Sequence, residues 1–266
     1  MMYFIVLFTL AFLSTCCFVK NGAEGSGDFP LNYLLFHDSN TLSDDDQDHC
    51  DLFRQWLESS TVSTELGKRG FHRELTTTVE LRPNVLHDIS VLLLYRWPNG
   101  VYVDPYQLDS LSARNDWQIL LDSSIDVEVP AHKTLGFLSY VYPSNAGSTS
   151  SLLKATIPVH GRYHEPSLAG ETFTTVRIKP PDMLLRTGKC LDKLESYVVV
   201  DAPCTVSNSS MCPWVKINRQ QEEGIISFQV PVGDGSVVMP VCVGTLLVTI
   251  VCCVALSKYM LKYQII

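Results

Sequence analysis

Basic residues are scarce in this chain of 266 residues, in which 20 lysines and arginines face 28 aspartates and glutamates. The formal net charge is -8 at pH 7. Proteins that bind nucleic acids carry a surplus of lysine and arginine on the surface that meets the phosphates. The charge balance therefore argues against a nucleic-acid-binding function.

Sequence signatures of catalysis are also missing. The chain has no G-x-S-x-G nucleophile elbow, no glycine-rich phosphate loop and no paired cysteine ligands for a metal. Asp44, Asp45 and Asp46 contain the D-x-D pattern of some nucleotide-sugar transferases, but any three adjacent aspartates produce that pattern. We therefore predict no catalytic residues, no metal site and no cofactor.

Charge is absent altogether from a run of twenty residues near the C-terminus, at 237–256. As a helix rising about 1.5 Å per residue, this run would cover roughly 30 Å, the hydrocarbon thickness of a bilayer. Acidic residues precede the run, whereas Lys258 and Lys262 follow it. Because basic residues stay on the cytoplasmic side, the sequence predicts a single type I transmembrane helix and a cytosolic tail at 257–266.

The N-terminus carries a shorter apolar run at residues 3–13. Eleven residues are too few to span a bilayer comfortably, and the run suits a secretory signal peptide that we place at 1–23. An uncleaved anchor is the alternative, because no basic residue precedes the run. Residues 24–67 are expected to be an acidic linker, which includes the aspartates at 44–48, followed by a short amphipathic helix that starts near Leu52.

Hydrophobic periodicity changes to two from residue 71 onward, as in half-buried strands. Proline, glycine and asparagine separate the apolar segments, and no long helical pattern interrupts them. The pattern predicts a luminal domain at 68–236 that is all-β and folds as an antiparallel β-sandwich. The expected strands are 71–81, 91–97, 101–103, 125–129, 135–142, 152–163, 173–178, 197–200 and 225–230.

Only four of the nine cysteines lie where an oxidising compartment would reach them. Seven residues separate Cys204 from Cys212, so that a hairpin or a loop can bring their Cα atoms within bridging distance. We therefore predict a Cys204–Cys212 disulfide, whereas the pairing of Cys50 and Cys190 stays open. Asn208 begins the chain's one N-x-S/T sequon inside this loop and is the predicted glycosylation site.

The segment His160-Gly161-Arg162-Tyr163-His164 is the strongest candidate for a metal or anion site. Alternating apolar residues at 157 and 159 favour a strand, on which His160 and His164 would stand roughly 13 Å apart, too far for one ion. We interpret the segment as a polar, partly cationic strip, which is either a solvated sheet face or a surface that contacts an anion or a protein. Asp104, which lies between Tyr102 and Tyr106, could serve a sugar site or act as a general base, but no second carboxylate supports such chemistry.

A partner contact surface is therefore predicted from the polar residues Asp104, His160, Arg162 and His164. Within the expected span, Thr245 and Thr249 recur at helical spacing with Cys242 and Cys252. Small and polar residues on one helical face allow helices to pack in lipid, so this face is predicted to contact the partner. Small residues scattered by chance in an anchor are the alternative.

Five sequence blocks resemble the PIG-X family, the non-catalytic subunit of glycosylphosphatidylinositol (GPI) mannosyltransferase I. The blocks are GFHREL at 70–75, GVYVDPY at 100–106, PVHGRYH at 158–164, the pair APC at 202–204 and CPW at 212–214, and QVPVG at 229–233. They occur in the family's order, and the resemblance covers roughly residues 68–256.

The resemblance implies a stabilising subunit in the endoplasmic reticulum membrane. Its partner would be PIG-M, the multi-spanning subunit that moves the first mannose from dolichol-phosphate mannose onto the glucosaminyl-phosphatidylinositol precursor. The family contributes no catalytic residues, in agreement with the motif search. Two other classes remain open from the residues alone: a single-pass adhesion or receptor protein of the cell surface, and a luminal hydrolase of glycans or lipids.

Overall fold

The computed structural model describes residues 44–83, 89–112, 117–143, 152–188, 190, 196–207, 210–217 and 224–263. The helices in these segments are α1 (Asp44–Ser59), α2 (Pro105–Ser112) and α3 (Val238–Lys262). The strands are β1 (Thr61–Gly67), β2 (His72–Glu80), β3 (Ile89–Trp97), β4 (Val101–Tyr102), β5 (Trp117–Leu121), β6 (Phe137–Pro143), β7 (Leu152–Gly161), β8 (Phe173–Ile178), β9 (Asp182–Thr187), β10 (Val199–Pro203), β11 (Met211–Lys216) and β12 (Ile226–Pro231). The chain divides into a β domain, Thr41–Gly235, and a second unit that contains α3.

The strands form three antiparallel sheets within the described segments. One has the order β1-β2-β7-β4, the second has the order β10-β11-β9-β3-β6-β5, and β12 pairs with β8 in the third. Every pair of these strands runs antiparallel. The predicted antiparallel β-sandwich with a C-terminal apolar helix is therefore confirmed.

The four-stranded and six-stranded sheets bury their facing side chains in one core. Leu75 and Ile157 from the first sheet and Leu93 from the second are at most 1% exposed and belong to one cluster. Across this core the hydroxyl of Tyr95 donates a hydrogen bond of 2.7 Å to Oγ1 of Thr77. Because both polar groups are buried, each satisfies the other in a region without solvent.

Strand β3 is apolar on both faces because its side chains join two separate buried clusters. Leu93 and Tyr95 point into the core, while Leu92 and Leu94 contact a second buried cluster that contains Leu184 and Trp214. A strand buried on both faces has a continuous apolar run instead of an alternating one. The run at 91–95 is thus explained by its central place in the sheet.

Helix α1 begins at Asp44, inside the stretch expected to be a linker. Negative charge is favourable at a helix N-terminus, where it meets the positive end of the helix dipole, so an acidic run can open a helix. Phe53 and Trp56 on this helix are fully buried in the main core, and the Trp56 indole donates to the carbonyl oxygen of Pro83 at 2.8 Å. Strand β1 follows and pairs along its whole length with β2. The compact β domain thus includes α1 and β1, which precede the expected boundary at residue 68.

The segment at 125–129 is not a strand, and this prediction is wrong. The backbone N–H of Glu128 donates to Oδ1 of Asp126 at 3.0 Å, so the aspartate forms a local turn in place of a strand pairing. Four strands and one helix were not predicted from the sequence. They are β1, β5, β9, β11 and α2.

Two disulfides connect parts of the β domain. Cys204–Cys212, as predicted, closes the β10–β11 hairpin with a Cα–Cα distance of 5.1 Å. Cys50–Cys190 joins α1 to the segment after β9, with a Cα–Cα distance of 5.4 Å and a sequence separation of 140. The predicted signal peptide at 1–23 and the predicted glycosylation site Asn208 lie outside the described residues.

Helix α3 has 25 residues, and none of them is buried. The apolar stretch that could cross a membrane extends over Gly235–Lys262, longer than the expected 237–256. The helix continues past Lys258 to Lys262, and a lysine near the end of a membrane span can extend its ammonium group toward the membrane surface. Length and composition agree with the predicted span.

Candidate functional site

His160 lies at the end of β7, at the edge of the four-stranded sheet where β4 joins it. Its Nδ1 is 2.7 Å from Nδ1 of His72 on β2, and its Nε2 is 2.9 Å from Oε1 of Gln107 on α2. An amide oxygen only accepts, so Nε2 of His160 carries a proton, and Nδ1 of the neutral ring accepts from His72. Burial lowers the pKa of His160, and the nearby His72 lowers it further. The ring is therefore a neutral, oriented link between two strands and a helix.

Four side chains contact one another in a row at this edge. The edge of the His72 ring faces the His160 ring, with 4.7 Å between the ring centres. Tyr102 stacks on His160 with 5.0 Å between the ring centres and an angle of 18° between the ring planes. The guanidinium carbon of Arg162 lies 4.9 Å from the centre of the Tyr102 ring. We call His72, His160, Tyr102 and Arg162 the histidine stack.

Arg162 does not belong to an exposed strip, contrary to the sequence interpretation. Its side chain is 4% exposed, and its guanidinium donates to the carbonyl oxygen of Val129. Strand β7 ends at Gly161, so the chain at Arg162 turns inward, and its backbone N–H donates to the oxygen of Gly100 at 2.9 Å. A buried guanidinium packed on an aromatic ring serves the fold and offers no surface to a partner.

His164 is half-buried and lies apart from the histidine stack. It lines two neighbouring clefts of 330 and 460 Å³, and Asn99 lines both as well. Its Nε2 is buried without a hydrogen-bond partner among the described residues, and burial lowers its pKa, as does the nearby His132. His160 and His164 therefore do not converge on one ligand. In the described part of the chain, no group of three or more His, Cys, Asp or Glu side chains is arranged to hold a metal ion.

Asp104 caps helix α2. Its Oδ1 accepts from the backbone N–H of Tyr106 at 2.9 Å, its carbonyl oxygen accepts from Leu108 at 2.9 Å, and Pro105 occupies the first helical position. An aspartate followed by proline is a common helix start, because the carboxylate satisfies an otherwise unpaired N–H. This hydrogen bond explains the carboxylate without a role as a general base.

Exposed tyrosines at the same edge were not identified from the sequence. Tyr106 is 87% exposed and precedes Gln107, the partner of His160, while Tyr163 is 73% exposed and packs against Phe71 at 5.0 Å. Tyrosine is enriched in protein interfaces because it combines a large apolar ring with a hydroxyl. Both residues lie in the sequence blocks that were singled out, but only Asp104, His160, Arg162 and His164 were chosen there. We call His72, Tyr106 and Tyr163 the exposed aromatic group.

The two threonines predicted to contact a partner in the membrane use their hydroxyl protons within α3. Thr245 donates to the carbonyl oxygens of Val241 and Cys242, each at 3.0 Å, and Thr249 donates to Thr245 at 2.8 Å. In a membrane such intrahelical bonds satisfy the hydroxyl without a partner. A second helix would therefore meet the oxygen lone pairs and a small side chain at these positions.

Comparison with known proteins gives one family and three close relatives. The family whose sequence profile matches residues 68–261 is described as PIG-X / PBN1. A protein of Homo sapiens is 32% identical over 205 residues, which cover 75% of this chain and 79% of that protein. Relatives from Rattus norvegicus and Mus musculus are 28% and 29% identical and are covered over 81% and 80% of their lengths. All three are named the stabilizing subunit of GPI alpha-1,4-mannosyltransferase I.

Among solved structures, the chitin-binding domain of a chitinase from Pyrococcus furiosus is similar at a TM-score of 0.24 and 10% identity. The match covers 50% of this chain and 96% of that domain. A score this low carries no inference about fold or ligand.

Proposed function

The chain belongs to the PIG-X / PBN1 family, and from this premise we propose that it is the stabilising, non-catalytic subunit of a GPI mannosyltransferase I. The observation that supports this most is the extent of the match. It runs through both the β domain and helix α3, from residue 68 to residue 261. A match that includes the anchor supports a shared membrane arrangement in addition to a shared fold.

The proposed partner is PIG-M, a multi-spanning subunit that transfers the first mannose from dolichol-phosphate mannose to the glucosaminyl-phosphatidylinositol precursor. The proposed location is the endoplasmic reticulum membrane, with the β domain in the lumen and the C-terminus in the cytosol. The lysines at 258 and 262 support this orientation, because positive charge is retained on the cytosolic side. The disulfides suit a domain that folds in an oxidising compartment.

Within the β domain, the exposed aromatic group and the half-buried His160 and His164 form the proposed contact surface for the partner. Asp104 supports this surface indirectly, because it starts helix α2 and thereby places Tyr106. Arg162 is excluded from the surface by its burial. Within the membrane, Thr245 and Thr249 form the proposed contact face of α3. These residues hold a partner and carry out no chemistry.

Expression of the chain in cells that lack their own stabilising subunit tests the proposal. The level of the catalytic subunit is measured by immunoblot, and GPI-anchored proteins at the cell surface are measured by flow cytometry. We expect both to be restored. A chain that reaches a normal level and restores neither would refute the proposed function.

The contact surface is tested separately with Tyr106→Ala and Tyr163→Ala together, measured as the amount of catalytic subunit that co-purifies in mild detergent. Leu135→Ala is the matched control, because Leu135 is 82% exposed and lies outside the exposed aromatic group. We expect the double variant to lower co-purification by roughly tenfold, since central aromatic residues carry much of the binding energy at interfaces. Equal recovery of the partner with both variants would exclude this surface. Normal assembly with abolished mannose transfer would instead indicate a catalytic role.

A further inference from the structure

A loop between β7 and β8, residues 166–171, presents an exposed leucine beside the point where the chain leaves the β domain. Leu168 is 86% exposed. The backbone N–H of Ser167 donates to the oxygen of Gly233 at 2.9 Å, and the N–H of Gly235 donates to the oxygen of Ser167 at 2.8 Å. These two bonds frame an isolated parallel bridge between Ser167 and Asp234. The loop is thus attached to the last residues of the β domain.

The loop is also held in shape from within. The Ser167 hydroxyl accepts hydrogen bonds from the backbone N–H groups of Ala169 at 3.2 Å and Glu171 at 3.3 Å. Leu168 lies directly against Gly235, where an added Cβ would come within 2.7 Å of the leucine Cδ2. The leucine side chain therefore packs beside residue 235, and the backbone oxygen of Ser167 would lie 3.1 Å from the same added Cβ.

Residue 235 is also the first residue of the stretch that could cross a membrane. At 3.8 Å between successive Cα atoms, Gly235 and Val238 are separated by at most about 11 Å of chain. If α3 spans a bilayer, Gly235 must lie at the membrane surface, in whatever direction the helix leaves the domain. Leu168 must then lie there as well. An apolar side chain held at this depth leaves water when it enters the boundary between headgroups and acyl chains.

We propose that the 166–171 loop is a second membrane contact and that Leu168 inserts into the interface of the leaflet that α3 enters. The proposal rests on the proposed transmembrane span and goes beyond it, because it assigns a lipid-binding role to a part of the β domain. Glu165, Glu171 and Asp234 are acidic neighbours in sequence or structure. Their charge disfavours anionic headgroups, so the expected ligand is a zwitterionic lipid such as phosphatidylcholine.

Tryptophan fluorescence in full-length protein tests the insertion. Leu168→Trp and the control Leu152→Trp are reconstituted into phosphatidylcholine vesicles that contain lipids brominated near the top of the acyl chain. Leu152 is 54% exposed and starts β7, whose ten residues extend about 30 Å at roughly 3.3 Å per residue, so it lies far from the loop. The four native tryptophans are buried in the β domain, and their signal is subtracted with the unmodified chain.

We expect bromolipid to quench the added tryptophan at position 168 at least about threefold more than the one at 152, as for a side chain inserted at the interface. Equal quenching in chains that co-float with the vesicles would overturn the loop insertion and leave the span intact. Failure of the chain to co-float would overturn both the span and the insertion. Loss of the quenching when the catalytic subunit is co-reconstituted would also overturn the proposal, because the loop would then contact protein and not lipid.

Discussion

The two disulfides close loops of very different length, and removal of each should destabilise the β domain by a different amount. Cys50–Cys190 connects residues 140 apart, whereas Cys204–Cys212 connects residues eight apart. The first bridge fastens α1, which contributes fully buried side chains to the main core. The second fastens a hairpin whose strands are already paired over five residues each.

The magnitude follows from loop closure in the unfolded chain. In the chain-entropy model, a bridge over 140 residues contributes about 5 kcal/mol and one over eight residues about 2.5 kcal/mol at 25 °C. The difference depends only on the ratio of the two loop lengths and is about 2.5 kcal/mol. Cys50 and Cys190 are both buried, so their replacement by alanine also removes buried sulfur atoms and widens the difference.

Urea unfolding of the full-length protein in detergent, followed by pulse proteolysis, measures both effects. The Cys50→Ala/Cys190→Ala variant is compared with the Cys204→Ala/Cys212→Ala variant and with the unmodified chain. We expect the long-loop variant to unfold at a clearly lower urea concentration than the short-loop variant. Equal midpoints, or a larger loss for the short loop, would refute loop closure as the source of the stabilisation.

Three further predictions concern single groups. Burial lowers the pKa of His160 and His164 below the usual value of about 6.5, so that the unfolded chain binds protons more readily than the folded one as the pH falls below that value. The thermal unfolding midpoint should therefore decrease as the pH is lowered from about 7.5 to about 5.5, and His160→Gln should make this decrease smaller. A midpoint that does not change with pH would contradict the prediction. Tyr95→Phe should cost about 1–3 kcal/mol in urea unfolding, because the buried Thr77 hydroxyl loses its partner, and additional Thr77→Val should recover part of the loss; strictly additive effects would argue against the bond. Asn208→Gln should abolish the glycosidase-sensitive mobility shift, and an unchanged shift would place the sugar elsewhere.

Alternating apolar residues predicted much of the fold because alternation is the direct signature of a half-buried strand. Strand β8 was predicted at its observed limits for that reason. Strand β11 was missed, since Pro213 lies within it and proline is not typical of a sheet interior. At 125–129 the sequence does alternate, but the backbone N–H of Glu128 donates to the carboxylate of Asp126 instead of to a neighbouring strand. Hydrogen bonds of this kind, between a side chain and the nearby backbone, cannot be predicted from hydrophobic periodicity.

The contact surface was harder to predict than the fold. Charge in the sequence suggested that Arg162 would be exposed, yet the aromatic ring of Tyr102, 60 residues earlier, and the carbonyl of Val129 enclose it. Such long-range packing cannot be read from neighbouring residues. The helix-capping role of Asp104 could have been predicted from the sequence, because aspartate followed by proline is a common helix start. The segment was instead interpreted as the end of the strand expected at 101–103. Tyr106 lies in the first turn of the helix that Asp104 caps, and its exposure depends on the position of that helix.

The strand order of the six-stranded sheet has a consequence for the time course of synthesis. Its central strand β3 ends at Trp97, and its neighbour β9 ends at Thr187, 90 residues later. At about 5–20 residues per second, the growing chain holds this apolar strand for roughly 5–20 s before the sheet can close around it. Strand β11 ends at Lys216, and the apolar helix begins at Val238, only 22 residues further on. The last strand of this sheet and the start of the apolar helix are therefore synthesised only about 1–4 s apart, so the sheet has little time to close before that helix has been made.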